Sequence, residues 1–313
     1  MLNRITNSML VNRNLRYVYD NMDKLQRMQE QISSGKMIRI ASDDPIGATQ
    51  SMSIHNDIKK TEQYQRNIQN GVSFLENTSS VITQVENILL EIKTIAENAS
   101  SEIVTSAEQT AFAFEVDQLL EELILSANSK FAGKFIFGGV ETLSGTRPNS
   151  APFNAVMSGN SISQVIPNPD GIDGAIKRMA GEGKSVIINV AGDDVFQPNG
   201  TDNQNDIFAT VINLRENLLA NDSESIRVRI AELNTEFEQV VAQNTLAGAK
   251  VNRLDLMSEQ LDDLKLIHKE HLSEIEDTDV AEAIMRLQTQ DISFQSTLKA
   301  SSRILGQSLL DYI

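Results

Sequence analysis

The sequence predicts a mainly α-helical fold, a long antiparallel coiled-coil rod made by the N- and C-terminal halves, with a small β-rich domain inserted at the tip. Three observations predict it. Apolar residues recur at alternating spacings of three and four over both ends of the 313-residue chain. The helical stretches of the two halves match, about fifty residues for each long helix and about thirty for each terminal one. Between the halves, residues 131–204 hold most of the glycines and every proline except Pro45. An up-and-back path pairs long helix with long helix and terminus with terminus.

Each element has its own justification. In the first helix Leu15, Val18, Met22, Leu25 and Ile32 form one stripe. It stops near Ser34-Gly35, where glycine accepts a left-handed cap. The second helix starts at Ser42-Asp43-Asp44-Pro45, with side-chain acceptors for free N–H groups and a proline in the first turn. Its stripe runs from Ile54 through Thr61, Ile68, Leu75, Ile82, Leu89 and Ala96 to Ala99. Fifty such residues would span about 80 Å. A shorter helix follows from about Ser106 to Lys130, with Ala113, Val116, Leu120, Leu123 and Ala127 inward.

The period then changes. Phe135-Ile136-Phe137 and Ser185 to Val190 are β-prone, and Asn168 to Gly171 and Gly192-Asp193-Asp194 read as turns. Helical spacing returns at Ile207, Val211, Leu214 and Leu218, breaks at Asn221-Asp222-Ser223, and resumes from Ile226 to Ile275. Asp279, three residues before Glu282, reads as a capping box opening the last helix, with Ile284, Leu287, Asp291, Phe294, Leu298, Ser301 and Leu305 in its stripe. Three domains are expected: terminal arms 1–40 with 277–313, a helical bundle 41–138 with 205–276, and a β-rich domain 139–204.

Composition narrows the function. Net charge is −16, which argues against nucleic-acid binding. Cysteine is absent, so disulfide and thiol chemistry are excluded. Aromatic residues are 5% and tryptophan is absent, which favours aliphatic helix packing over an aromatic core. The N-terminal segment has no apolar run long enough for a cleaved signal, and no stretch reaches the ~20 apolar residues of a membrane span. No membrane insertion is expected, and if the protein leaves the cell it must do so by a route that does not cut a signal peptide.

The arms differ in charge. Residues 1–40 carry seven basic and three acidic side chains, and residues 277–313 carry three basic and five acidic. Opposite signs favour pairing, although each exposed pair contributes only ~0–1 kcal/mol. Both arms are rich in Asn, Gln and Ser, so their apolar seams are thin. Two such helices alone are marginal in water. They are expected to order when neighbouring copies bury them.

Patterns for chemistry fail their tests. His268, His271 and Glu274 share a helix face, but no metalloprotease motif accompanies them, and His268 falls on the coiled-coil stripe. Gly181-Glu182-Gly183-Lys184-Ser185 has Arg178 where a phosphate loop needs its first glycine, and it leads into a strand. It reads as a turn. Asp170 to Gly174 lacks calcium-loop spacing. No catalytic, cofactor-binding or metal-binding residue is assigned, and no cofactor is expected.

Four separated motifs carry a resemblance. Gln31 to Lys36 followed by Ala41-Ser42-Asp43-Asp44-Pro45-Ile46-Gly47-Ala48 is similar to the N-terminal signature of the flagellin superfamily, in the Asp-Asp-Pro form of its hook-associated members. Asn128 to Gly139 with Pro152-Phe153, Gly192 to Phe196, and the stretch from Ser273 to Ile313 resemble the hook-associated protein 3 family. Thr146 to Phe153 departs from it as a longer insertion.

The resemblance implies a non-enzymatic structural protein of the bacterial flagellum, joining hook to filament by coiled-coil self-assembly. It implies an extracellular location, export through the flagellar type III channel, and an export chaperone on the C-terminal arm. The partners implied are further copies in a ring-like zone, the first hook-associated protein below and flagellin above. A short flagellin, the bulk filament subunit, is the alternative. The expected assembly residues are Leu15, Val18, Met22, Leu25 and Ile32 with Ile284, Leu287, Phe294, Leu298 and Leu305.

Overall fold

The structure is a computed structural model that describes residues 7–101, 104–140, 151–159, 161–168, 172–196 and 206–310. Seven helices carry the described residues: α1 (Asn7–Ser34), α2 (Pro45–Ala99), α3 (Ser106–Ala127), α4 (Gly192–Phe196), α5 (Ile207–Ala220), α6 (Ser223–Glu276) and α7 (Val280–Leu310). Three antiparallel hairpins complete it: β1 (Lys130–Phe131) with β2 (Lys134–Phe135), β3 (Phe153–Ser158) with β4 (Ser161–Pro167), and β5 (Lys177–Gly181) with β6 (Lys184–Ile187). The fold is mainly α. Helices of the N-terminal half pair antiparallel with helices of the C-terminal half.

The chain divides into two compact units, residues 1–60 with 263–313 and residues 61–262. In the second unit the stripes predicted for α2 and α3 are the core. Ile68, Leu75, Ile82, Val85, Leu89, Ile92 and Ala96 are buried, as are Ala113, Val116, Leu120, Leu123 and Ala127. Facing them, α6 buries Ile226, Leu233, Val240, Ala247, Leu254 and Leu261, one every seven residues. Ser79 and Asn244, hydrogen-bonded at 2.6 Å, and Gln65 with Asp262 at 2.6 Å fix the antiparallel register of the two long helices.

Several local expectations change. Helix α3 opens on a reciprocal capping box, Thr105 with Glu108, in addition to the elements expected. At Asp279 only half of the box forms: its carboxylate accepts the N–H groups of Ala281 and Glu282, while Glu282 pairs with Arg286 at 2.6 Å. The turn read at Gly192 is the start of α4. A Cβ at Gly192 would lie 2.5 Å from the Phe137 carbonyl oxygen, so glycine permits that close approach. Gly181 to Ser185 forms the tip of the β5–β6 hairpin, with Gly183 at φ +67°. The turn expected at 168–171 lies mostly outside the described residues.

The aromatic content is low but concentrated. Phe137, Phe153, Phe196 and Phe208 are buried together, with ring centroids 5.0–5.5 Å apart in four pairs. A local aromatic core therefore exists, contrary to the expectation from composition. It ties the segment after β2, strand β3 and helix α4 to the start of α5. Asn128 completes the junction by mimicking a strand: it donates to the Phe153 carbonyl at 2.8 Å and accepts from the Phe153 N–H at 3.0 Å.

Candidate assembly interface

Helices α1 and α7 pair antiparallel within the first unit, and the pair is held by a seam that is half polar. Asn14, Val18, Asn21, Leu25, Met28 and Ile32 face inward from α1. From α7 come Ala283, Leu287, Gln290, Phe294, Thr297 and Ser301. Both series alternate spacings of four and three, as coiled-coil core positions do. Asn21 sets the register. Its amide donates to Thr297 Oγ1 at 2.9 Å, and Gln290 Nε2 donates to the Asn21 side-chain and backbone oxygens at 3.1 and 3.3 Å.

This register brings Ile32 opposite Ala283 and Met28 opposite Leu287, two wholly apolar layers beside the α1–α2 connection. Towards the chain ends, every layer has a polar member: Leu25 with Gln290, Asn21 with Phe294, Val18 with Thr297 and Asn14 with Ser301. Apolar burial, the main favourable term, therefore thins towards the ends.

Nine of the ten expected interface residues separate into two groups. Val18, Leu25, Ile32, Leu287 and Phe294 are half-buried in the seam. Leu15, Met22, Ile284 and Leu298 are 41%, 53%, 41% and 43% exposed. Leu305 lies among the last residues of α7, whose side chains fall outside the described part. Each of the four exposed residues follows a seam position by one. In an antiparallel pair those flanking positions lie on the same side of both helices. One side of the pair therefore carries an uncovered apolar column contributed by both ends of the chain.

Charge does not bind the two helices as expected. Among the described residues, ion pairs of α1 and α7 stay within a helix or reach the adjoining loop: Arg27 with Asp23 at 3.1 Å, Arg286 with Glu282 at 2.6 Å and Arg39 with Glu30 at 2.6 Å. Hydrogen bonds between amides and hydroxyls hold the seam instead.

The closed end of the pair is organised around Glu276, the last residue of α6. Its side chain is 9% exposed and takes Lys36 Nζ at 2.5 Å, His55 Nε2 at 3.0 Å and the Ser51 hydroxyl. Burial pushes its carboxyl up, but the bonds from Lys36, Ser51 and His55 and the Lys36 charge outweigh that, and the group is held below the ordinary carboxylate range. Backbone bonds add to this, Met37 N–H to the Glu276 carbonyl at 2.6 Å and Thr278 N–H to the Gly35 carbonyl at 2.9 Å. Gly35 stands at φ +70°, the conformation its position required. Asp43, in the Asp-Asp-Pro motif, accepts the N–H groups of Arg39 and Ile40, and Asp44 caps α2 through Ile46 N–H at 3.0 Å. Sequence patterns gave no sign of the Glu276 cluster, because Glu276 lies more than two hundred residues from Lys36, Ser51 and His55.

His268 is half-buried, and His271 meets Glu274 at 3.3 Å on the surface. Among the described residues no group of three acids or histidines is placed to hold a metal.

The sequence profile of the bacterial flagellin N-terminal helical region matches residues 5–142, and that of the C-terminal helical region matches residues 230–313. This chain belongs to the flagellin superfamily. The superfamily is one of structural flagellar proteins, and two of its members align with nearly all of this chain. Hook-associated protein 3 of Salmonella typhimurium is 21% identical, over 98% of this chain and 98% of its own length. The 30.7 kDa flagellar filament core protein of Treponema maltophilum is 27% identical, over 93% of this chain and 94% of its own. In fold, the chain is similar to the flagellar junction protein of Legionella pneumophila, with a TM-score of 0.56, 17% identity, and coverage of 72% of this chain and 99% of that one.

Proposed function

We propose that this chain is the junction protein joining the flagellar hook to the filament, built into place by coiled-coil self-assembly. The observation that carries the reading is the uncovered column of Leu15, Met22, Ile284 and Leu298 along one side of the α1–α7 pair. A thin intramolecular seam beside an exposed apolar column is stabilised when another copy covers the column.

In this reading residues 1–40 and 277–313 form the inner assembly arms, 41–138 with 205–276 the supporting bundle, and 139–204 the outward domain. The partners are further copies in a ring-like zone, the first hook-associated protein on one side and flagellin on the other. An export chaperone holds the C-terminal arm before passage through the type III channel. The protein acts outside the cell and catalyses nothing. The full-length similarity to a filament core protein favours one second reading, a short filament subunit using the same arms.

Gold-labelled antibody against residues 139–204 on intact flagella tests both. A single narrow band between hook and filament is expected. Label along the filament would replace the junction reading with the filament one.

A further inference from the structure

Glu236 lies on α6 where that helix meets the first turn of α5, and its residue is only 6% exposed. Its Oε1 accepts the hydroxyl proton of Thr210, itself buried, at 2.6 Å. Its Oε2 is buried and has no hydrogen-bond partner. A carboxylate placed there lacks the compensation that burial of a charge demands.

The charges around it do not supply that compensation. From α5 comes Asp206, the N-cap, 4% exposed, whose side chain accepts the Ala209 N–H. From α6 itself comes Glu232, one turn earlier, and Arg229, which pairs with Glu232 at 2.6 Å. Charges on neighbouring helices pair among themselves, Asp117 of α3 with Arg215 of α5 at 2.5 Å and Lys93 with Glu97 on α2 at 3.7 Å. Between β4 and the start of α5, a surface pocket is lined by Asp206, Ala209, Ile212 and Asn213 together with the neutral Ser163, Gln164 and Val165. Among the described residues, the carboxylates of Asp206, Glu232 and Glu236 and the guanidinium of Arg229 gather near the first turn of α5, and Glu236 keeps a bare oxygen.

We propose that Glu236 is a proton-operated latch on the contact between α5 and α6. With its proton in place, the side chain stays in the interior and seats the first turn of α5. Without it, the carboxylate moves out to water and that turn loosens. Burial first, with the Glu232 and Asp206 charges opposing the Thr210 bond and Arg229, pushes the buried group up to about 7. In an opened, solvated state the same carboxyl returns to about 4.3. Between those values the closed state holds a proton that the open state has lost. Opening therefore grows about tenfold per pH unit as pH rises, and levels off above the folded value.

The test is hydrogen exchange of peptides covering residues 207–220 in the full chain, from pH 5 to 8, corrected for intrinsic exchange. Protection is expected to fall about tenfold per pH unit between pH 5 and 7 and to flatten above. Glu236→Gln is expected to abolish that fall. Unchanging protection in the unaltered chain, or an equal fall in Glu236→Gln, would overturn the latch. A carbon-13 titration of the Glu236 carboxyl in the unaltered chain gives an independent check that needs no variant. A midpoint above about 5.5 supports the proposal, and one below it refutes it.

Discussion

Two buried glutamates on α6 show how partners decide the fate of a carboxyl group. Glu276 has three donors and titrates low; Glu236 has one and titrates high. Their contributions to stability therefore run in opposite directions with pH. The depressed group stabilises the fold above the ordinary glutamate value, and that contribution is lost as pH falls through its folded value. Glu276→Ala should lower the stability of the unit that contains it by about 1–3 kcal/mol at pH 7, since it leaves Lys36, Ser51 and His55 without their shared acceptor. Lys36 and His55 are half exposed, so water makes up part of the loss. Thermal melts at pH 7 and pH 3 check this, and the gap between variant and parent should narrow at the lower pH.

At the scale of elements, the aromatic cluster joins the hairpin region to the helices. Phe208→Ala should cost about 3–5 kcal/mol, read as a shifted denaturant midpoint, because Phe208 is fully buried against two other rings. The long helices were legible because their stripes repeat over many turns: Ile226 to Leu261 and Ile68 to Ala99 are buried as the spacing required. The β3–β4 hairpin was not. A bulge between Val156 and Met157 interrupts the alternation that marks a strand. The interface was half legible for a geometric reason. Leu15, Val18, Met22 and Leu25 alternate spacings of three and four, as a coiled-coil core does, yet every other member is a flanking position. Spacing alone cannot tell that column from the true seam, which passes through polar Asn14 and Asn21 instead. Substituting Asn21→Leu and Gln290→Leu together should strengthen helix pairing while relaxing its register, since a buried polar contact specifies alignment at some loss of stability. Cysteine pairs placed along α1 and α7 of the naturally cysteine-free chain would show cross-links at shifted positions.

For the whole molecule, the exposed column separates folding from assembly. Leu15→Asp combined with Leu298→Asp should leave the thermal unfolding of the monomer nearly unchanged, because surface substitutions of this kind stay within about 0.5 kcal/mol. The same variant should fail to attach to flagella, as seen by electron microscopy of cells producing it. A monomer that melts early would instead make these residues part of the fold and remove the support for the assembly reading.

The uneven seam between α1 and α7 also sets the order in which the pair comes apart. Two apolar layers and the Glu276 cluster anchor one end, and the hydrogen-bonded layers occupy the other, so separation starts at the chain ends and runs inward. A helix that opens from one end can exchange its partner by displacement, layer by layer, as one strand of a duplex replaces another. An incoming copy would then need to overcome only one layer at a time, and the barrier to joining a growing structure would stay well below the full strength of the pairing it replaces.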